Sequence, residues 1–75
     1  MVPEPDGIAF HQWVAWLRDE FPGDDIPMPV PEAQWVEWAM RLLMINTFGE
    51  LLAIDPRGFA SWQEYARRLK QQLGD

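Results

Sequence analysis

Hydrophobic residues recur at helical spacing in three segments of the chain, each bounded by prolines or glycines. In the first segment, a helix is predicted over residues 8–21, because its apolar side chains share one stripe: Phe10, Trp13, Val14, Leu17 and Phe21. Trp16 lies at the edge of this stripe, about 110° from its centre at 100° per residue. Pro22 and Gly23 end the helix.

The central segment, residues 32–54, is apolar nearly all round the helical wheel, and only Glu37 and Arg41 mark a clear polar side. A helix of this kind needs neighbours on more than one side. Thr47-x-x-Glu50 has the form of a capping box, and Gly49 weakens a helix at this point. A continuous helix and one kinked near residues 46–48 therefore both stay open.

The last helix is predicted over residues 60–73, where Trp62, Ala66, Leu69 and Leu73 form a narrow stripe behind a Ser61-x-x-Glu64 capping box. Four of the seven prolines fall in residues 22–31, which predicts an extended polyproline strap between the first two helices. Residues 1–7 are predicted to form an extended arm. The chain is thus expected to be one all-α domain, either a small three-helix bundle or an extended helical array.

The three helical segments share an aromatic pair spaced three residues apart, which would form a ledge on one flank of each helix. The pairs are Trp13 with Trp16, Trp35 with Trp38, and Trp62 with Tyr65. Three amphipathic helices that each point aromatics inward would produce the same pattern. A bundle of this size, however, has room for two or three buried indoles. We therefore expect the remaining tryptophans to be exposed as interface anchors.

Two of these segments, DPRGFASWQEYARRLKQQLG and PEAQWVEWAMRLLM, resemble short helical segments in small structural and accessory proteins of tailed bacteriophages. The resemblance covers mostly residues 55–74. It implies a component of a virion, or an adaptor bound to one.

Composition restricts the chemistry. A 75-residue chain without cysteine has no disulfide or thiolate metal site and is marginally stable alone, which favours docking or oligomerisation. The net charge of −6 disfavours nucleic acid and anionic lipid. Residues 1–55 hold ten acidic and two basic side chains, whereas residues 56–75 hold two and four. This asymmetry suits head-to-tail association or pairing within the chain, although solvated faces explain it equally simply.

Candidates for catalysis or metal binding are weak. The single histidine, His11, would have to meet the single serine, Ser61, across the bundle, and Ser61 is better placed as a helix cap. The carboxylates near the end of the first helix match no calcium-binding loop: Asp19, Glu20, Asp24 and Asp25. We predict no catalytic residue, no metal, no cofactor and no small-molecule substrate. No secretory signal or membrane span is expected.

The sequence therefore predicts a non-catalytic structural or adaptor subunit in the host cytoplasm or a virion, which docks on a protein partner or on copies of itself. The predicted partner-binding residues are the aromatic pairs and two arginines: Trp13, Trp16, Trp35, Trp38, Trp62, Tyr65, Arg67 and Arg68. The alternative is a small acidic inhibitor of a host nucleic-acid enzyme. Binding that is lost at moderate salt would favour the inhibitor, and salt-resistant binding would favour the adaptor.

Overall fold

Local sequence signals set the helix bounds in the computed structural model, which describes residues 4–45 and 54–73. The helices are α1 (Phe10–Glu20), α2 (Trp35–Leu43) and α3 (Trp62–Gln72). These described ranges contain no strand, which confirms the all-α prediction. α1 and α3 are each shorter than predicted by three residues in total, because the flanking residues cap the helix in extended or turn conformations.

Side chains cap the first turns of α1 and α3. The Ser61 hydroxyl accepts a hydrogen bond from the Glu64 amide at 3.4 Å, which confirms the predicted N-cap. The Glu64 carboxylate reaches back to the Ala60 amide at 2.9 Å rather than to the amide of Ser61. At the start of α1, Gln12 Oε1 accepts from the Ala9 amide at 2.9 Å. These bonds satisfy amides that a helix terminus otherwise leaves without partners.

α2 is shorter than the predicted central helix. A 3-10 turn over Glu32–Gln34 precedes it, and Pro31 stands just before that turn. At its other end, the Met44 amide is shared between the Met40 and Arg41 carbonyls, and the Ile45 amide bonds to the Leu42 carbonyl at 3.1 Å. Shared and i→i+3 bonds of this kind tighten and end a helix. The kink predicted near residues 46–48 lies outside the described residues.

The predicted extended arm instead contains a 3-10 turn over Pro5–Gly7, because Pro5 suits a first helical position and the Gly7 amide bonds back to the Glu4 carbonyl at 3.1 Å. A third 3-10 turn, Pro56–Gly58, precedes α3. There the Asp55 carboxylate accepts hydrogen bonds from the backbone and the guanidinium of Arg57. The side-chain bonds contribute most to lowering the pKa of Asp55 to about 2.

One hydrophobic core joins all three helices and the strap. Its buried members come from α1, α2, α3, the strap and the segment before α3: Phe10, Trp13, Val14, Leu17, Ile26, Trp38, Ala39, Leu42, Ile54, Trp62, Tyr65, Ala66 and Leu69. The described structure fits within 26 × 25 × 22 Å. Of the two predicted architectures, the closed bundle is therefore the one observed. None of the helices in the described ranges is long and apolar enough to cross a lipid bilayer.

Candidate partner-binding surface

Five aromatic rings from the three helices meet at the centre of the bundle and form what we call the aromatic cluster: Phe10, Trp13, Trp38, Trp62 and Tyr65. The ring centroids of Phe10 lie 5.5 Å from Trp38 and 5.4 Å from Trp62, both in edge-on geometry. Trp13 lies 5.6 Å from Trp38. Edge-to-face pairs at these distances contribute about 0.5–1.5 kcal/mol each beyond the area they bury. At least one ring of each aromatic pair thus faces inward and packs in the core.

The three buried indoles differ in their hydrogen bonds. Trp38 Nε1 donates to the carbonyl of Pro27 in the strap at 3.0 Å. Within the described part of the chain, the Nε1 groups of Trp13 and Trp62 are buried and find no acceptor. A buried donor without a partner costs about 1–3 kcal/mol. Trp13 and Trp62 therefore stabilise the core by the apolar area of their rings, but each buries an N–H group without an acceptor. Trp38 buries its ring and also links the strap to α2 by a hydrogen bond.

The strap crosses its own bundle. Ile26 is buried in the core and Val30 packs against it, so these two side chains face inward. Met28 between them is 64% exposed. A regular β-strand would place residues 26, 28 and 30 on one side, so the strap does not follow strand alternation here. Of these three apolar side chains, the structure leaves Met28 on the surface.

Half of the predicted partner-binding residues lie in the interior. Trp13, Trp38, Trp62 and Tyr65 are each at most 2% exposed, so no partner reaches them in this conformation. Burial raises the pKa of the Tyr65 hydroxyl above its usual value. A bundle of this size was expected to bury two or three indoles, and the structure buries three. The stripes of α1 and α3 indicated Trp13 and Trp62, whereas the nearly all-apolar wheel of α2 did not indicate which tryptophan of its pair would be buried.

Trp16 and Trp35 are the two remaining tryptophans, and both are half-buried at the rim of the core. The ring of Trp35 lies 5.7 Å from that of Tyr65. Trp16 has the edge position that its angle on the α1 wheel predicted. Each ring keeps one part against the bundle and one part in solvent. Indoles held in this way are already partly ordered, which lowers the entropy cost of using them as anchors.

A second apolar surface runs along α2 and was not singled out from the sequence. Val36, Met40 and Leu43 are half-buried and Met44 is 80% exposed. Their spacing places them on one face of the helix, beside the face that carries Trp38 and Leu42 into the core. We call these four residues the outer face of α2. The sequence signal for this face is the nearly all-apolar wheel of the central segment.

The predicted arginines have different surroundings. Arg67 forms ion pairs with Asp6 and with Glu4, the latter at 3.8 Å, and Lys70 lies 3.5 Å from Glu4. The hydrogen bond from Arg67 to Asp6 contributes most to raising the pKa of the guanidinium. Arg68 is exposed and bonds to Gln71 on its own helix at 3.4 Å. The uneven charge left head-to-tail association, pairing within the chain and solvated faces open. For Arg67, the structure shows pairing within the chain.

The acidic corner at the end of α1 borders a shallow depression of about 430 Å³, which is lined by Arg18, Asp19, Asp24, Asp25 and the Pro22–Gly23 turn. Across the described residues, no group of three or more carboxylate, imidazole or thiol side chains is arranged to hold a metal ion. His11 is exposed on α1, and the Ser61 hydroxyl caps α3. The geometry thus offers two apolar surfaces and an acidic corner as candidate contacts.

The comparisons with known proteins add no assignment to this geometry. No family model matches the chain, and no curated protein and no solved structure is significantly similar to it. The candidate surface therefore has to be interpreted from its own residues.

Proposed function

We propose that this protein is a non-catalytic structural or adaptor subunit that docks on a protein partner through its surface indoles and the outer face of α2. The assembly we propose is a tailed-bacteriophage particle, following the resemblance of residues 55–74. The observation that carries the docking proposal is the surplus of apolar side chains. Three indoles fill the core, and two more, together with Met28 and Met44, stay partly or largely in solvent.

Two features of this surplus support docking rather than incidental exposure. Tryptophan is favoured among residues that anchor interfaces, and anchors work best when a scaffold holds them in place. Trp16 and Trp35 are both packed against the core on one side. Methionine adapts its shape to varied partner surfaces, and the outer face of α2 carries two methionines at helical spacing. Such a face is suited to lie in a groove or against another helix.

The test is capture of partners by the tagged protein from phage-infected host cells, comparing the wild type with Trp16→Lys and Trp35→Lys. Each variant should capture at least tenfold less partner than the wild type, because an interface anchor contributes about 2 kcal/mol or more to binding. Gln72→Lys introduces the same charge at an exposed position of α3 and is the control that should retain the captured partner. Unchanged capture by both tryptophan variants would reject the docking surface, and a wild-type monomer that captures nothing would reject the adaptor function.

The acidic inhibitor is the second candidate, and one observation favours it. Arg57, Arg67 and Lys70 are paired with carboxylates of the same chain. Within the described ranges, the acidic corner takes part in no salt bridge: Asp19, Glu20, Asp24 and Asp25. Pairing of the basic residues thus leaves this corner as an anionic surface for a basic partner. A complex held by it would dissociate as salt rises to moderate concentration, whereas a complex anchored by indoles would persist.

A further inference from the structure

The N-terminal arm lies on α3, although the two segments are more than sixty residues apart in the chain. Glu4 and Asp6 supply carboxylates to Arg67 and Lys70, and Pro5 between them is less than 2% exposed. Arg67 and Lys70 are three residues apart on α3 and so stand side by side on its surface. The contact therefore consists of the buried Pro5 ring and, on either side of it, a carboxylate that pairs with a basic side chain of α3.

Among the described residues of the arm, the three consecutive residues Glu4-Pro5-Asp6 supply the two carboxylates and the buried ring of this contact. The 3-10 turn over Pro5–Gly7 fixes their shape locally, through the bond between the Gly7 amide and the Glu4 carbonyl. The arm is thus a short, self-contained ligand, and the surface of α3 is its receptor. Every copy of the chain carries both.

The contacts that hold the arm on α3 are also weak enough for the arm to dissociate from it. Its carboxylates are 58–59% exposed, and ion pairs in solvent contribute little to stability because water and salt screen them. Ile8 and Ala9, which connect the arm to α1, have extended backbone that can be redirected without breaking a helix.

We propose that the arm exchanges between two copies of this chain, so that Glu4-Pro5-Asp6 of each copy occupies the Arg67–Lys70 surface of the other. The exchange forms a closed two-fold dimer, because the same arm and the same surface are used in both directions. It rebuilds in the dimer the contacts that the single copy makes with itself. The second arm is delivered at high effective concentration once the first has docked. This interface is separate from the surface indoles and the outer face of α2.

Charge reversal tests the proposal by making each chain unable to bind its own arm. One variant carries Glu4→Lys and Asp6→Lys, and the other carries Arg67→Glu and Lys70→Glu. Each alone should be monomeric by light scattering, whereas their equimolar mixture should double in mass, because both exchanged contacts are then of opposite charge. Both variants stay net acidic, so general attraction does not favour the pair. All four changes in one chain restore opposite charges on arm and surface, so this chain should have the same mass as the wild type under the same conditions.

Cysteine cross-linking tests the exchange in chains that keep the other arm contacts. The natural sequence has no cysteine, so each introduced thiol is the only one in its chain. An Asp6→Cys chain mixed with an Arg67→Cys chain should form the mixed disulfide about tenfold faster than Ala15→Cys mixed with Arg67→Cys, because docking raises the effective concentration of the thiols. Ala15 is an exposed position on α1 and reports random collision. A charge-reversed mixture that stays monomeric, or equal rates of cross-linking, would overturn the exchange. Loss of partner capture in the tryptophan variants would be unaffected by either result.

Discussion

The aromatic cluster and the arm contact are both built on α3, from its opposite faces, and they are held by different forces. Trp62 and Tyr65 point inward and meet rings from α1 and α2 at 5.4–6.4 Å, with almost no exposure. Arg67 points outward to the arm and keeps 45% of its side chain in solvent. Burial of apolar area is insensitive to salt, whereas exposed ion pairs are screened. α3 thus takes part in a contact that salt does not weaken, the aromatic cluster, and in one that salt weakens, the arm contact.

The largest expected effect breaks the aromatic cluster. Trp13→Ala should cost about 3–5 kcal/mol, because removing a buried indole leaves a cavity that the bundle only partly fills. Small domains have little stability to spare, so most of the chain should unfold at 25 °C. Urea unfolding followed by far-UV circular dichroism measures the loss.

Trp16→Ala is the matched control for this change, since it removes the same side chain from the same helix at a half-buried position. It should cost less than half as much. Equal losses at the two positions would show that the cluster is not the centre of stability.

Alkaline pH should weaken the cluster through Tyr65. Burial raises the pKa of its hydroxyl above 10, so the unfolded chain ionises at a pH where the folded chain keeps its proton. The contribution is complete below pH 10 and is lost as pH rises beyond it, by up to about 1.4 kcal/mol per pH unit. Urea unfolding at pH 9, 10 and 11 measures this slope. Tyr65→Phe removes the ionising group and should flatten it, and a slope that persists in this variant would assign the effect to another residue.

A smaller effect separates two buried indoles of the cluster. Trp38→Phe removes the donor to the Pro27 carbonyl and releases the strap, whereas Trp62→Phe removes an N–H that has no acceptor in the described structure. Both lose similar ring area. Trp38→Phe should therefore be the more destabilising by about 1–3 kcal/mol, the cost of the lost bond and of a carbonyl left without its donor. Equal urea midpoints for the two variants would show that the strap is held by Ile26 and Val30 alone.

Much of the cluster follows from the sequence, because the period of apolar residues decides which face of each helix is buried. The stripes of α1 and α3 predicted Trp13, Leu17, Trp62 and Leu69 as inward residues. On α2 the wheel is apolar over most of its circumference, so the periodicity could not decide whether the face of Trp38 or the face of Met44 would turn inward. Tertiary packing made that choice.

The arm contact could be predicted only as a possibility. Charge asymmetry between residues 1–55 and 56–75 was visible, but the pairing of Glu4 and Asp6 with Arg67 and Lys70 joins opposite ends of the chain. No local pattern records such a contact, because surface charges have no period that selects one partner over solvent. The half-exposed positions of Trp16 and Trp35 likewise depend on how closely the helices pack at the rim of the core.

The smallest effect concerns the arm and completes the contrast with the cluster. Arg67→Ala combined with Lys70→Ala should lower the free energy of unfolding only slightly at low salt, because ion pairs exposed to solvent contribute little. In 1 M NaCl the screening length falls to about 3 Å, and the same double substitution should cost almost nothing. Urea unfolding at the two salt concentrations gives both values. Arg68→Ala is the control, because Arg68 bonds only to Gln71 of its own helix among the described residues and should change stability little at either concentration. A loss from the double variant that is as large in 1 M NaCl as at low salt would show that the arm is held by the burial of Pro5 and the alkyl stems of α3, and so belongs with the permanent contacts of the bundle.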